Sequence, residues 1–182
     1  MGDVRFLDWL VPLAVEESID WDVVYREELP RVLNFHRYRV FDRATAEDLT
    51  SITFEKAWRA RGRYRKDRAA VATWLLSIAR NVAIDHFRRA RTRSEVPLEG
   101  DGVPDHLTPE DEAVRREEQR RLGTLLAGLP PRERELVALK YGAGATNRAI
   151  AKLTGLSESN VGTILHRTVG TLRAAWDEGG RP

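Results

Sequence analysis

Residues 73–93 read TWLLSIARNVAIDHFRRARTR, and their periodicity decides the fold. Leu75, Ile78, Ala79 and Val82 recur at spacings of three and four, which puts them on one buried helical face. Trp74, Ser77, Asn81 and Arg88 share a second face, at offsets of three, seven and fourteen from the tryptophan. A ring, hydrogen-bonding groups and a phosphate-suited charge on one face point to nucleic acid, and to unpaired bases more than closed duplex. The stretch also reads as a core helix with a basic, solvated end, and taken alone it does not separate the two.

The same period recurs outward from this helix, and alternating β-branched runs are absent. The chain is therefore expected to be all-α. Residues 20–41 read as helix broken or restarted at Pro30, with Val24, Leu33 and Phe41 as core. Residues 45–61 form the next helix, with Thr45 as N-cap and Glu47 and Asp48 at the positive end of its dipole. Phe54 and Trp58 stand four apart on it. Residues 62–70, GRYRKDRAA, make a basic loop carrying Tyr64, Arg65 and Lys66, a mixture of ring and charge that suits a single strand. Residues 94–112 hold three prolines, two glycines and many acids, and read as a flexible acidic linker between two small helical domains. Helix returns at 113–128 with Val114, Leu122, Leu125 and Leu126 as its apolar stripe. Leu129-Pro130-Pro131 stops it and starts another, which runs to about Tyr141 and ends at Gly142 and Gly144.

Composition narrows the function. Of 182 residues 42% are hydrophobic, enough for real cores, yet no run approaches the roughly 18 apolar residues of a membrane helix. The opening MGDVRFLDWLVPLAVEE contains Asp8 and Pro12 and lacks a secretory pattern, so it is expected to be a short packing segment of a cytoplasmic protein. Cysteine is absent, which removes disulfides and thiolate-based zinc sites. Net charge is only +2, but residues 56–93 carry twelve Lys/Arg against two Asp/Glu, while residues 94–118 carry two against nine. A dense positive block attracts phosphate whatever the net charge. His36, His86, His106 and His166 are scattered without metal-ligand spacing, and Asp85 and His86, adjacent on a helix, diverge. No catalytic residue, metal or other cofactor is expected.

Residues 145–173 carry a second constellation. Ala151, Gly155 and Val161 stand at offsets of zero, four and ten, the spacing of a helix-turn-helix. Ser157 suits the N-cap of its second helix. Val161, Ile164, Leu165, Thr168 and Leu172 fall on one arc of that helix, and Ser159, Asn160, Thr163, His166 and Arg167 on the other, which would enter a major groove.

Taken together, these blocks resemble an RNA polymerase sigma factor of the extracytoplasmic-function group, the compact kind with only regions two and four. The carrying residues are Ala46-Glu47-Asp48-Leu49, Phe54, Ala57-Trp58, Trp74-Leu75-Leu76, Ile78-Ala79-Arg80-Asn81 and Asp85-His86-Phe87-Arg88-Arg89. Leu129-Pro130, Arg132-Glu133-Arg134, Ile150-Ala151 to Gly155, His166-Arg167 and Leu172-Arg173 follow in order. The resemblance implies that residues 20–93 bind core polymerase and recognise and melt the minus-ten element. Residues 113–177 would read the minus-thirty-five element, with 1–19 as an extension, 94–112 as the connector and 178–182 as a tail. Glu47, Asp48, Leu49, Ser51 and Phe54 would meet the clamp helices of the largest subunit, with Ser51 standing where the family usually has Gln. Tyr64, Arg65, Lys66, Trp74, Ser77, Arg80, Asn81, Arg88 and Arg89 would serve the minus-ten DNA, duplex and single-stranded. Ser157, Ser159, Asn160, Thr163, His166 and Arg167 would serve the minus-thirty-five element. Gly162 and Ile164 replace basic residues common in the family. The same resemblance implies contact with the flap of the second-largest subunit and an inhibitory anti-sigma partner. The alternative is a conventional helix-turn-helix transcription regulator using residues 145–173 alone, which leaves the basic block without a task.

Overall fold

The computed structural model describes residues 19–67, 69–93 and 109–178. The opening packing segment and the linker up to residue 108 lie outside these. The described residues are helical throughout, with no strand among them: α1 (Trp21–Val40), α2 (Arg43–Ala60), a 3-10 turn (Arg61–Arg63), α3 (Val71–Arg93), α4 (Pro109–Ala127), α5 (Pro131–Val137), a π-helical turn (Ala138–Gly142), α6 (Asn147–Thr154) and α7 (Glu158–Glu178). Among the described residues no helix is long and apolar enough to cross a membrane.

Asp20 starts α1 by accepting hydrogen bonds from the backbone N–H of Asp22 and Val23, at 3.0 and 3.2 Å. The helix then runs unbroken through Pro30, contrary to the expected break. Pro30 is exposed, so water can satisfy the carbonyl its ring leaves without a donor. Val24, Val32, Phe35 and His36 form the buried face, while Leu33 and Phe41, expected as core, are only half-buried. Phe41 ends α1 in the left-handed conformation, with φ of 56°. Asp42 follows extended and caps α2, its Oδ2 accepting from the Thr45 N–H at 2.7 Å. Hydrogen bonding from Thr45 holds the Asp42 carboxyl below its ordinary range. Thr45 is thus the cap's donor, and α2 begins earlier than the sequence suggested. Glu47 lies past the first turn and pairs with Arg43 at 2.8 Å.

α2 and α3 complete the first unit, with Ala57, Leu75, Leu76, Ala79 and Ala83 packed around Phe35 and Val32. In the second unit α4 begins inside the expected linker. Pro109 suits that start, because a proline at the first helical position has no N–H to leave unpaired. Leu126, Leu129, Leu136, Leu139, Ile150, Val161 and Leu165 fill the second unit.

The two units share one continuous apolar cluster rather than standing apart. Polar contacts stitch the seam: Arg31 Nε donates to the Ala143 carbonyl at 2.9 Å, and Arg39 Nη1 to the Pro131 carbonyl at 3.1 Å. Gly142 lies so close to α1 that a Cβ there would sit 2.9 Å from the Asn34 carbonyl oxygen.

Thr146 caps α6, accepting from the Ala149 N–H at 3.1 Å, and Gly155 ends it with φ of +75°. A Cβ at Gly155 would meet nothing within 4 Å, which isolates the backbone term. Gly155→Ala is expected to cost about 1–2 kcal/mol through the left-handed conformation alone. Thermal unfolding checks this, and an unchanged midpoint would show that the turn relaxes.

Candidate nucleic-acid interface

Two surfaces gather most of the residues singled out in the sequence. The first is built where the 62–70 loop crosses α3. Tyr64 and Trp74 lie 5.2 Å apart between ring centroids, and Trp21 joins them at 6.4 and 5.8 Å respectively. The Tyr64 hydroxyl donates to the Ala69 carbonyl at 2.9 Å, which fixes the loop against the cluster. Trp74 is half-buried, so its ring serves packing and surface together. Sequence reading missed Trp21, because its place depends on α1 crossing α3, which no local pattern encodes.

Along α3 the two expected faces separate as the spacing demands. Leu75, Ala79 and Val82 are buried, with Ile78 partly so. Ser77 is half-buried and donates to the Trp74 carbonyl at 2.6 Å; Asn81, Arg88 and Arg89 are exposed. Arg88 reaches back to Asp85 at 3.2 Å, and Asp85 also meets Lys56 at 3.8 Å. Arg65 pairs with Asp67 at 3.1 Å, and Lys66 is exposed beside it. Arg80 departs from the group. It stands about 100° around the helix from Asn81 and points at the second unit, with Nε 2.9 Å from Glu135 Oε1 and Nη2 3.4 Å from Oε2.

The second surface is the outer arc of α7. Ser159, Asn160, Thr163, His166 and Arg167 are all exposed, while Val161, Leu165 and Thr168 are buried. Ser157 Oγ accepts from the Asn160 N–H at 3.2 Å, the capping role its position suggested. Arg167 approaches Glu133 at 3.5 Å, and Thr168 Oγ1 donates to the same carboxylate at 3.0 Å. Ile164 packs against the core, so the outward arc does not run through it.

The α2 residues divide differently. Glu47, Asp48 and Ser51 are exposed, and Ser51 Oγ donates to the Glu47 carbonyl at 3.1 Å. Leu49, expected among the docking residues, is 5% exposed and belongs to the core; its side chain is committed to holding α2 in place. Ile52, which the sequence reading passed over, is the exposed apolar residue of this edge. Its signal was available in its position four residues after Asp48 on the solvent face. Phe54 packs edge-on against Tyr25 at 4.7 Å and lines a cavity of about 230 Å³ with Trp21, Trp58 and Leu75. Trp58 is exposed and carries the Arg61 guanidinium 3.9 Å above its ring.

Both units have relatives among known proteins. Residues 24–93 match the family described as Sigma-70 region 2, and residues 119–172 that described as Sigma-70, region 4. The chain is 33% identical over 172 residues to the ECF RNA polymerase sigma factor BldN of Streptomyces coelicolor, covering 92% of this chain but only 64% of that protein. It is 30% identical to the ECF RNA polymerase sigma factor RpoE of Cereibacter sphaeroides, covering 88% of each. Its fold resembles that of the sigma factor RpoE of Bartonella quintana, solved in complex with the anti-sigma factor NepR. The TM-score is 0.72 at 20% identity, over 87% of this chain and 97% of that one.

Proposed function

Because the chain belongs to the sigma-70 family, with the two-region build of its extracytoplasmic-function group, we propose that it binds core RNA polymerase, directs it to particular promoters and helps open them. The observation that carries this reading is the pairing, on one chain, of an exposed polar arc on α7 with the Trp74–Asn81 face of α3. The α7 arc suits base edges in a major groove and the α3 face suits unstacked bases. Its work is recognition, without bond-making, in the cytoplasm where polymerase and DNA are found.

Residues 20–93 act as the polymerase-binding and minus-ten unit, and residues 113–177 as the minus-thirty-five unit. Glu47, Asp48, Ser51 and Ile52 offer the clamp helices a polar edge with one apolar residue. Extruding a base costs a few kcal/mol, and stacking on a ring returns about 1–3 kcal/mol. The free chain therefore opens DNA poorly, and polymerase contacts supply the rest. Bartonella RpoE binds an anti-sigma factor, and a partner of that kind fits the control this chain needs.

Transcription in vitro with core polymerase, with start sites mapped across a genomic library, tests the reading. Starts that require this protein are expected. Asn81→Ala is expected to lower open-complex formation about tenfold, in line with the loss of one hydrogen-bonded base contact, with core binding unchanged. An absence of dependent starts overturns the proposal. A conventional regulator would also fail to compete with other sigma factors for core polymerase in a pull-down.

A further inference from the structure

Among Ser159, Asn160, Thr163, His166 and Arg167, the exposed arc of α7, only Arg167 carries a permanent charge. It stands four residues after Thr163 and seven after Asn160, so the three form one stripe along the helix. Its guanidinium is mostly exposed, yet an acid meets it there. Glu133, in the first turn of α5, places Oε1 3.5 Å from Arg167 Nη2. Its other oxygen, Oε2, accepts at 3.0 Å from the Thr168 hydroxyl. Thr168 is buried at 1% exposure, so its hydroxyl is a fixed donor and holds the carboxylate in place. Arg134, a neighbour of Glu133 on α5, is turned away and donates to the Ala127 and Leu129 carbonyls. A negative charge at the border of a surface suited to DNA opposes phosphate, so general attraction does not account for it.

Resting on the functional reading above, we propose that Glu133 is a positioning residue for base recognition: anchored by the Thr168 hydroxyl, its carboxylate holds the Arg167 guanidinium in the orientation that reads a guanine. A guanidinium recognises guanine by two parallel hydrogen bonds to O6 and N7, which demand one plane and one direction. A free arginine loses rotamer entropy when it takes up that plane. A carboxylate at one edge of the guanidinium removes part of that loss beforehand, and the remaining N–H groups stay free for the base. The same carboxylate repels phosphate and so discourages Arg167 from swinging to the DNA backbone. Glu133 therefore lowers overall affinity and raises selectivity, and neutralising it moves the two in opposite directions.

In the test, core polymerase carrying the full chain selects from promoter DNA randomised across the minus-thirty-five element, and sequencing of the bound DNA gives the preference at each position. Arg167→Ala is expected to relax one position at which the parent prefers guanine, and that position is the readout. Glu133→Gln keeps the shape of the side chain and removes its charge. It is expected to relax the same position about three- to fivefold, in keeping with the strength of an exposed ion pair. The other positions should be unchanged, and total binding at low salt should rise rather than fall. Thr168→Val, which keeps shape and removes the hydroxyl, is expected to relax the same position, and Thr168→Ser to retain the parent preference. In an Arg167→Ala background Glu133→Gln is expected to change nothing there. An unchanged preference in Glu133→Gln overturns the proposal, as does an even loss across all positions, which marks a fold defect. A further loss without Arg167 overturns it too, and a full preference in Thr168→Val overturns the anchoring by that hydroxyl. If Arg167→Ala weakens binding without relaxing any position, Arg167 is a phosphate contact and the proposal falls. Selection by the parent separates the two readings: sequence selection with no change in Glu133→Gln leaves the function standing and removes the positioning role, whereas no selection removes the function.

Discussion

Phe35→Ala is expected to destabilise the protein by about 3–5 kcal/mol, since Phe35 is the largest fully buried side chain among the described residues. Phe35 is fully buried in the C-terminal half of α1. Its backbone lies against Gly142 of the second unit, 3.3 Å from where a Cβ at that glycine would stand. Its ring meets His36 edge-on at 5.2 Å. Removing the ring opens a cavity at the place where the two units share their core, and neighbouring helices pinned by polar stitches collapse only partly into it. The loss should therefore appear in both units together. Urea unfolding followed by far-ultraviolet circular dichroism and by tryptophan fluorescence should give coincident transitions for parent and variant, both shifted to lower urea in the variant. Separate transitions, with only one moved, would show that the shared core does not couple the units.

Acidification from pH 6.5 to pH 4.5 should remove about 2–3 kcal/mol of stability through His36 alone. Its pKa is pushed down to about 3, first by burial and then by the positive charges of Arg39 and His86. The hydrogen-bond network fixes its neutral form. Thr53 Oγ1 donates its proton to the Leu49 carbonyl at 2.7 Å, so His36 Nε2 must be the donor in the 3.0 Å contact with that hydroxyl. Nδ1 is then left buried without a partner, and protonating it would place an uncompensated charge in the core. Below pH 6.5 the unfolded chain takes up a proton that the folded chain refuses until about pH 3. Stability accordingly falls as pH falls through that window. Urea midpoints measured across it should slope downward, and His36→Leu, which has nothing to protonate, should flatten the slope above the range where carboxylates titrate. A slope unchanged in His36→Leu would assign the effect elsewhere.

What the sequence revealed and what it withheld follow from the range of each interaction. The buried and exposed arcs of α3 and α7 are local, set by 3.6-residue periodicity, and they were legible. So was the helix-turn-helix, because Ala151, Gly155 and Val161 each answer to a nearby steric demand. Cap positions were one turn less certain: both Asp42 and Thr45 are capable caps, and only the left-handed Phe41 decides in favour of Asp42. The continuity of α1 through Pro30 depends on which side of the helix faces water, and that is settled by the fold. Least legible was the seam. Nothing near Arg80 in the chain announces Glu135, fifty-five residues away. The acidic linker suggested separation, whereas the structure brings the units together. Leu49 shows the same limit in reverse, since a residue expected to dock turns inward and belongs to the core.

The grouping of Trp21, Tyr64 and Trp74 has a spectroscopic consequence. Indole rings with centroids 5.8 Å apart absorb as a coupled pair rather than as two independent chromophores, and a phenol at 5.2 Å from one of them joins the coupling. The near-ultraviolet circular dichroism of the protein should carry a couplet from the two indoles of this cluster. A base sliding onto Trp74 would change the angle or the surroundings of that pair. The molecule thus contains its own unlabelled reporter at the place where strand capture is proposed.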